Sequence, residues 1–102
     1  MIGYDFDDVI TSGITPVRDS VIITGRSFEE APEVNYYLKE KGIFNPVYYS
    51  PHRVGDTLPK NSAKWKVRML KLLKVDTFYE DDIEQIEIIE ECLPNLEIIQ
   101  IK

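Results

Sequence analysis

A single cysteine, Cys92, stands among 102 residues, so no internal disulfide can form. It falls in an apolar helical pattern and is expected to be a small core residue. Long hydrophobic runs are missing too. No segment nears the roughly 20 apolar residues of a membrane-crossing helix. Met1 leads straight into strand-like sequence with no signal peptide, so a cytoplasmic protein without membrane association is expected. Basic charge is in deficit, with 12 Lys and Arg against 18 Asp and Glu and a net charge of −6. Nonspecific nucleic-acid binding draws on phosphate neutralisation by basic surface, so this balance argues against a long nucleic-acid footprint. Repeats and low-complexity segments are absent. With 43% hydrophobic and 29% charged residues, the chain reads as one globular domain over residues 1–102 with room for one modest core.

What is present alternates. Strand-like runs are expected at residues 1–5, 21–24, 47–49, 77–79 and 96–101. Gly25 is expected to stop the second. Helices are expected over about residues 28–41, 62–74 and 83–93. Ser27 can cap the first, Glu29 and Glu30 in its first turn and Lys39 and Lys41 in its last suit the helix dipole, and Gly42 ends it. In the third, Ile83, Ile86, Ile88, Ile89 and Leu93 are expected on the buried side, and Pro94-Asn95 breaks it. Strands alternating with helices predict an α/β fold with a five-stranded parallel sheet and right-handed crossovers. Residues 8–19, with Gly13 and Pro16, are too broken for a regular helix, which leaves one sheet face thinly covered. His52, Arg53, Lys60, Lys64, Lys66, Arg68, Lys71 and Lys74 crowd the middle third and read chiefly as a solvated face. Tyr36-Tyr37 and Tyr48-Tyr49 each place one ring in the core and offer one to a surface, where a homodimer could form.

The chemistry collects at strand ends. Ile2-Gly3-Tyr4-Asp5-Phe6-Asp7-Asp8 ends an apolar run in three carboxylates within four positions. In an open parallel sheet that carboxyl edge is where ligands bind. Like charges clustered there need a cation or a proton to relieve them, and a hard divalent cation such as Mg²⁺ is the simplest candidate. The second strand adds Thr24-Gly25-Arg26 and the fourth adds Glu80-Asp81-Asp82, while Lys64 and Lys66 open the helix between them. Carboxylates, a hydroxyl beside a glycine and an ammonium on one edge make a site for Mg²⁺ and a phosphate together.

In this order the motifs resemble the haloacid dehalogenase superfamily of phosphohydrolases, and the resemblance runs from Ile2 through Asp82 to the last strand. It implies a HAD-like Rossmannoid fold, a three-layer α/β/α arrangement around the parallel sheet. Asp5 would be the nucleophile, forming an aspartyl-phosphate, and Asp7 the acid that protonates the leaving oxygen and later activates water. Mg²⁺ would be held by Asp5, the backbone carbonyl of Asp7 and Asp81, with Glu80 or Asp82 assisting. Thr24 and the Gly25 N–H would bind phosphate oxygens. Lys66 would be the motif lysine in place of Lys64, because Met69 and Leu70 follow it at three and four positions. Two departures stand out: Asp8 occupies a position where glycine is common in the family, and the segments that carry cap domains are nearly absent.

Among capless members the layout is most similar to the phosphatase half of polynucleotide kinase-phosphatases and to small phage-like nucleotidases. That similarity implies a phosphorylated small molecule or a nucleic-acid end as partner, with Arg26, His52 and Arg53 as candidates for touching sugar or a flanking phosphate. The expected function is Mg²⁺-dependent phosphomonoester hydrolysis, and the alternative is a non-catalytic HAD-like domain that binds metal or a partner. A response-regulator receiver has a similar outline, but its phosphorylated aspartate follows strand three, where Ser50-Pro51 stand here. Its lysine follows strand five, where only Lys102 remains.

Overall fold

In the computed structural model, which describes residues 1–102, the apolar runs become five strands of one sheet. They are β1 (Ile2–Tyr4), β2 (Val21–Ser27), β3 (Val47–Ser50), β4 (Thr77–Glu80) and β5 (Glu97–Gln100). Three helices connect them: α1 (Ala31–Glu40), α2 (Pro59–Leu72) and α3 (Ile83–Cys92). The strand order is β3-β2-β1-β4-β5, and every pairing is parallel. The chain therefore leaves β1 toward one side first and returns to its other side with β4. In such a sheet the crevice where the direction of winding changes, at the carboxyl ends of the strands, is the usual ligand site. Here it lies between β1 and β4.

Strand alternation divides the core between two faces. Val21 and Ile23 pack with Ala63, Val67 and Leu70 of α2, Phe78 of β4 and Ile89 of α3. Tyr4 and Ile22 point the other way, toward Val34 and Leu38 of α1. Residues 8–19 form no long helix, as their composition requires, yet the face beside them is not bare. A 3₁₀ turn at Ile10–Ser12 brings Val9 and Ile10 into that second cluster as fully buried residues, and Gly13 closes the turn at a φ of 109°. Phe6 meets Tyr37 edge-on with ring centroids 5.4 Å apart, while Tyr36 is exposed. Tyr48 and Tyr49 are both half-buried.

Several boundaries differ from the sequence expectation for identifiable reasons. Gly25 does not stop β2. The strand runs on to Ser27, which pairs with Ser50, and the register with β3 shifts between Ile23 and Ser27 so that Gly25 sits in an irregularity. Ser27 does cap, but what it caps is a 3₁₀ turn at Phe28–Glu30: its hydroxyl accepts the Glu29 N–H, Glu30 returns to the Ser27 N–H, and α1 proper begins at Ala31. Helix α2 starts at Pro59, ahead of Ser62, because proline's fixed φ and missing N–H suit a first turn. Helix α3 buries its middle, Ile86 and Ile89, while Ile83 at its start is 53% exposed and Cys92 at its end is exposed, so Cys92 is not a core residue. Lys60, Lys64, Arg68, Lys71 and Lys74 are solvated, as the basic stretch suggested, and Lys66 is the exception.

Candidate functional site

Asp5 follows the last residue of β1 and sits at the carboxyl edge of the central strand. Its N–H donates to the Tyr79 carbonyl of β4 at 2.9 Å, which continues the sheet by one rung and fixes the backbone. Its side chain is then held in the crevice, and the residue is only 5% exposed. Glu80, the last residue of β4, is fully buried beside it, and Asp81 follows. One carboxylate oxygen from each of Asp5, Glu80 and Asp81 lies within 4.8 Å of the others. Lys66, 1% exposed and two turns into α2, reaches into the same crevice. Its Nζ is 2.6 Å from Glu80 Oε1 and 3.2 Å from Asp5 Oδ1. The second Glu80 oxygen accepts the N–H groups of Asp81 and Asp82 at 3.1 and 3.4 Å. Of the two candidate lysines, only Lys66 is in the site.

The electrostatics follow from burial. Burial pushes the Asp5 carboxyl well above the ordinary carboxylate range, Lys66 opposes this and Glu80 adds to it. Burial pulls Glu80 the same way, but Lys66, the hydrogen bond from Asp5 and the Asp82 N–H outweigh it and hold Glu80 below its usual value. Lys66 loses by burial and gains more from Asp5 and Glu80, so it stays charged. Burial thus favours the protonated form of Asp5, while Lys66 and Glu80 favour each other's charged forms. Asp81 is raised to about 6, by burial first and then by Glu80.

The remaining motif residues are placed less uniformly. Asp7 is gripped by Arg26, whose Nε and Nη2 donate to its two oxygens at 3.0 and 2.9 Å. Arg26 also pairs with Glu30 at 3.0 Å and Glu33 at 3.6 Å. Asp8 has a φ of 60° and donates its N–H to Thr11 Oγ1 at 2.8 Å. That left-handed conformation is easiest for glycine and tolerable for aspartate. Thr24 is fully buried, its hydroxyl accepts the Arg26 N–H at 3.0 Å, and it does not line the open cavity. Asp82 caps α3 with one oxygen, accepting the Glu84 N–H at 3.0 Å, and accepts from Gln85 Nε2 with the other at 3.0 Å. The carboxylates brought together are therefore Asp5, Glu80 and Asp81, with the side chains of Asp7 and Asp82 outside that group. His52 and Arg53 are not in the cavity lining. His52 Nδ1 is 2.7 Å from Ser50 Oγ, and Arg53 pairs with Glu29 and stands over the Phe28 ring.

Two residues enter the site that the motifs did not announce. Ser62, one turn before Lys66 on the same face of α2, is 3% exposed and lines the cavity. A Cβ on Gly25 would lie 2.6 Å from Ser62 Oγ, so the glycine is what lets α2 come this close. The one acceptor for the Ser62 hydroxyl is the Thr57 carbonyl at 3.5 Å, the outer limit of a hydrogen bond, so this group is available to donate elsewhere. Its i, i+4 spacing from Lys66 was the only signal in the sequence. Gln85 is the second. Its Oε1 is the one buried side-chain polar atom in the molecule without a partner.

The cavity holds about 350 Å³ and has no hydrophobic lining. Asp5, Asp7, Asp8, Glu30, Asp81 and Asp82 face Arg26 and Lys66 across it, an excess of acidic groups that disfavours an anion entering alone. Asp5, Glu80 and Asp81 offer only oxygen donors, the set that suits a hard divalent cation, and the single histidine and cysteine lie elsewhere. No family model, characterised protein or solved structure matches this chain.

Proposed function

We propose that this chain is a Mg²⁺-dependent phosphomonoester hydrolase of the haloacid dehalogenase type, without a cap domain, that works through phosphorylation of Asp5. The observation that carries this reading is the meeting of Asp5, Glu80, Asp81 and Lys66 at the β1–β4 crevice, from three separate stretches of chain. Mg²⁺ held by Asp5 and Asp81, with Glu80 behind them, would supply the positive charge that lets a phosphate dianion approach and would displace the proton from Asp5.

The chain's own groups then divide the work. An Asp5 oxygen attacks phosphorus, the ester P–O bond breaks, and the leaving oxygen takes a proton from Asp7. Water next gives a proton to Asp7 and attacks the aspartyl-phosphate, which releases inorganic phosphate and restores Asp5. Lys66 holds Asp5 in line and balances its charge. The Gly25 N–H and the Ser62 hydroxyl border the cavity and donate to the phosphoryl oxygens, and Ser62 replaces the buried Thr24 in this role. Arg26 occupies both oxygens of Asp7, so it must let go before Asp7 can move a proton. An incoming phosphate is a competing acceptor for the guanidinium and gives it a reason to do so. The cavity's wholly polar lining selects a phosphoryl group, not the body attached to it, which leaves nucleotides and nucleic-acid ends as the substrates of choice from the resemblance.

The Arg26–Asp7 grip is also the observation that favours the alternative, a cation-binding domain without hydrolysis. Phosphate release separates the two. A panel of an aryl phosphate, nucleoside 3′- and 5′-monophosphates and a 3′-phosphorylated oligonucleotide is run with Mg²⁺, with chelator and with Asp5→Asn. The hydrolase reading expects release that needs Mg²⁺ and disappears in Asp5→Asn. No release from any substrate by a folded protein that still binds Mg²⁺ supports the alternative.

A further inference from the structure

Helix α2 carries a row of cations that the site does not use. Lys60, Lys64, Arg68 and Lys71 are all exposed, and none of them forms an ion pair. At 3.6 residues per turn they fall within roughly 80° of the helix circumference and span about 16 Å along its axis. The side of the helix turned to the sheet is spent on Ser62, Ala63, Lys66, Val67, Met69 and Leu70, all buried. No acidic residue stands between Asp56 and Asp76, so the row meets no opposite charge from its own helix. Lys60 sits in the first turn, where the helix dipole favours an acid, so helix stability does not account for it. Arg26, Arg53 and Lys66, by contrast, are each paired with carboxylates.

The row also has a direction. Helix α2 follows β3 and begins at the carboxyl edge of the sheet, where Thr57 and Ser62, on either side of Lys60, line the cavity. It then runs back to the opposite edge, where Asp76 beyond it donates its N–H to the Met1 carbonyl. Steps of three or four residues separate neighbouring cations by about 5–6 Å along the axis, a repeat that suits a linear polyanion better than a single anion. Salt screens each charge beyond about 8 Å, so the row acts locally and the net charge of −6 does not cancel it. A membrane surface would require apolar side chains beside the cations, and no exposed apolar side chain falls within that arc. We propose that the outer face of α2 docks a nucleic-acid strand, with its terminal phosphate in the cavity and the neighbouring phosphates along Lys60, Lys64, Arg68 and Lys71. The cavity end of this arrangement rests on the hydrolase reading, and the row itself does not. The footprint is short, in keeping with an acidic chain, and it favours strand ends over free nucleotides as substrates.

Lys60→Gln, Lys64→Gln, Arg68→Gln and Lys71→Gln are combined in one variant, since all four positions are exposed and glutamine is a good helix former. Binding of a labelled single-stranded oligonucleotide without a terminal phosphate is followed by fluorescence anisotropy against salt. Phosphatidylserine vesicles and an oligoglutamate peptide are tested beside it, and KM is measured for a nucleoside 3′-monophosphate and a 3′-phosphorylated oligonucleotide. Neutralising three or four phosphates of a single strand predicts a slope of log K against log salt of about −2 to −3 in the wild type. The variant should bind the oligonucleotide at least about 10-fold more weakly at low salt, with a flatter slope. Its KM should rise for the phosphorylated oligonucleotide and stay unchanged for the monophosphate, with an unchanged Tm. Equal affinity and slope in both proteins overturn the proposal, as does tighter binding of the vesicles or the peptide than of the oligonucleotide. Hydrolysis of monophosphates by a wild type that binds no oligonucleotide removes this proposal alone. Salt-dependent binding through the row with no hydrolysis of any phosphomonoester supports the docking face and removes the hydrolase reading instead.

Discussion

Lys66 is buried between Asp5 and Glu80, an arrangement that is stable only while the charges of the three balance. Burial raises Asp5, and Asp81 is raised to about 6, so at both sites the folded protein holds protons more tightly than the unfolded chain. The stability tied to these two groups is therefore fully present below their unfolded values and is lost as pH rises through the folded ones. Glu80 runs the other way, since its depressed value keeps its contribution until pH falls below the usual carboxylate range. A cation that takes the place of the protons should stabilise most where the protons are gone. Thermal denaturation with and without Mg²⁺ should accordingly show a small increase in Tm near pH 5 and a clearly larger one near pH 7.5, and an increase independent of pH would contradict the assignment. At this scale the sequence was legible where a residue's chemistry has one use. Three carboxylates at strand ends and a lysine between them imply a cation or proton wherever they meet. What it could not show was that Thr24 lies beneath the surface while Ser62 faces the cavity, because a hydroxyl's accessibility depends on how closely two elements pack.

That closeness belongs to β2 and α2. Gly25 sits where β2 loses register with β3, and Ser62 lies where its Cβ would be. A methyl group there cannot be absorbed by rotating a flexible side chain, because Ser62 Cβ itself would be at 2.8 Å. Gly25→Ala should force α2 outward, with a loss of about 1–3 kcal/mol in stability measured by urea denaturation, in the range of overpacked sites. Ser62 and Lys66 ride on the same helix, so phosphate release should fall with it. Retention of full activity and stability would mean that the α2–β2 contact is looser than this geometry requires. The order and kind of the elements could be read directly, since apolar runs of strand length alternate with 3.6-residue patterns. Their ends could not. The chain crosses Gly25 as strand because Ser27 still finds Ser50 to pair with, a non-local fact. Likewise, Cys92 continues the apolar pattern of α3 but falls at its last residue, where burial has ended.

Taken whole, the molecule is an acidic chain whose five-stranded parallel sheet gathers Asp5, Glu80 and Asp81 at one edge. No helix is long and apolar enough to cross a membrane. Topology accounts for the gathering: β1 lies between β2 and β4, so residues following three strands far apart in sequence become neighbours at their carboxyl ends. The site is thus a property of the strand order, and its chemistry stands or falls on what the central carboxylate does. The most direct measurement is to quench the protein in acid during turnover of a phosphomonoester with Mg²⁺, digest it, and analyse the peptides by mass spectrometry. The account predicts that the mass of one phosphoryl group is added to the peptide carrying Asp5, is removed by hydroxylamine, and is missing in Asp5→Asn and in chelator. Phosphate release without any such adduct, continuing in Asp5→Asn, would contradict it.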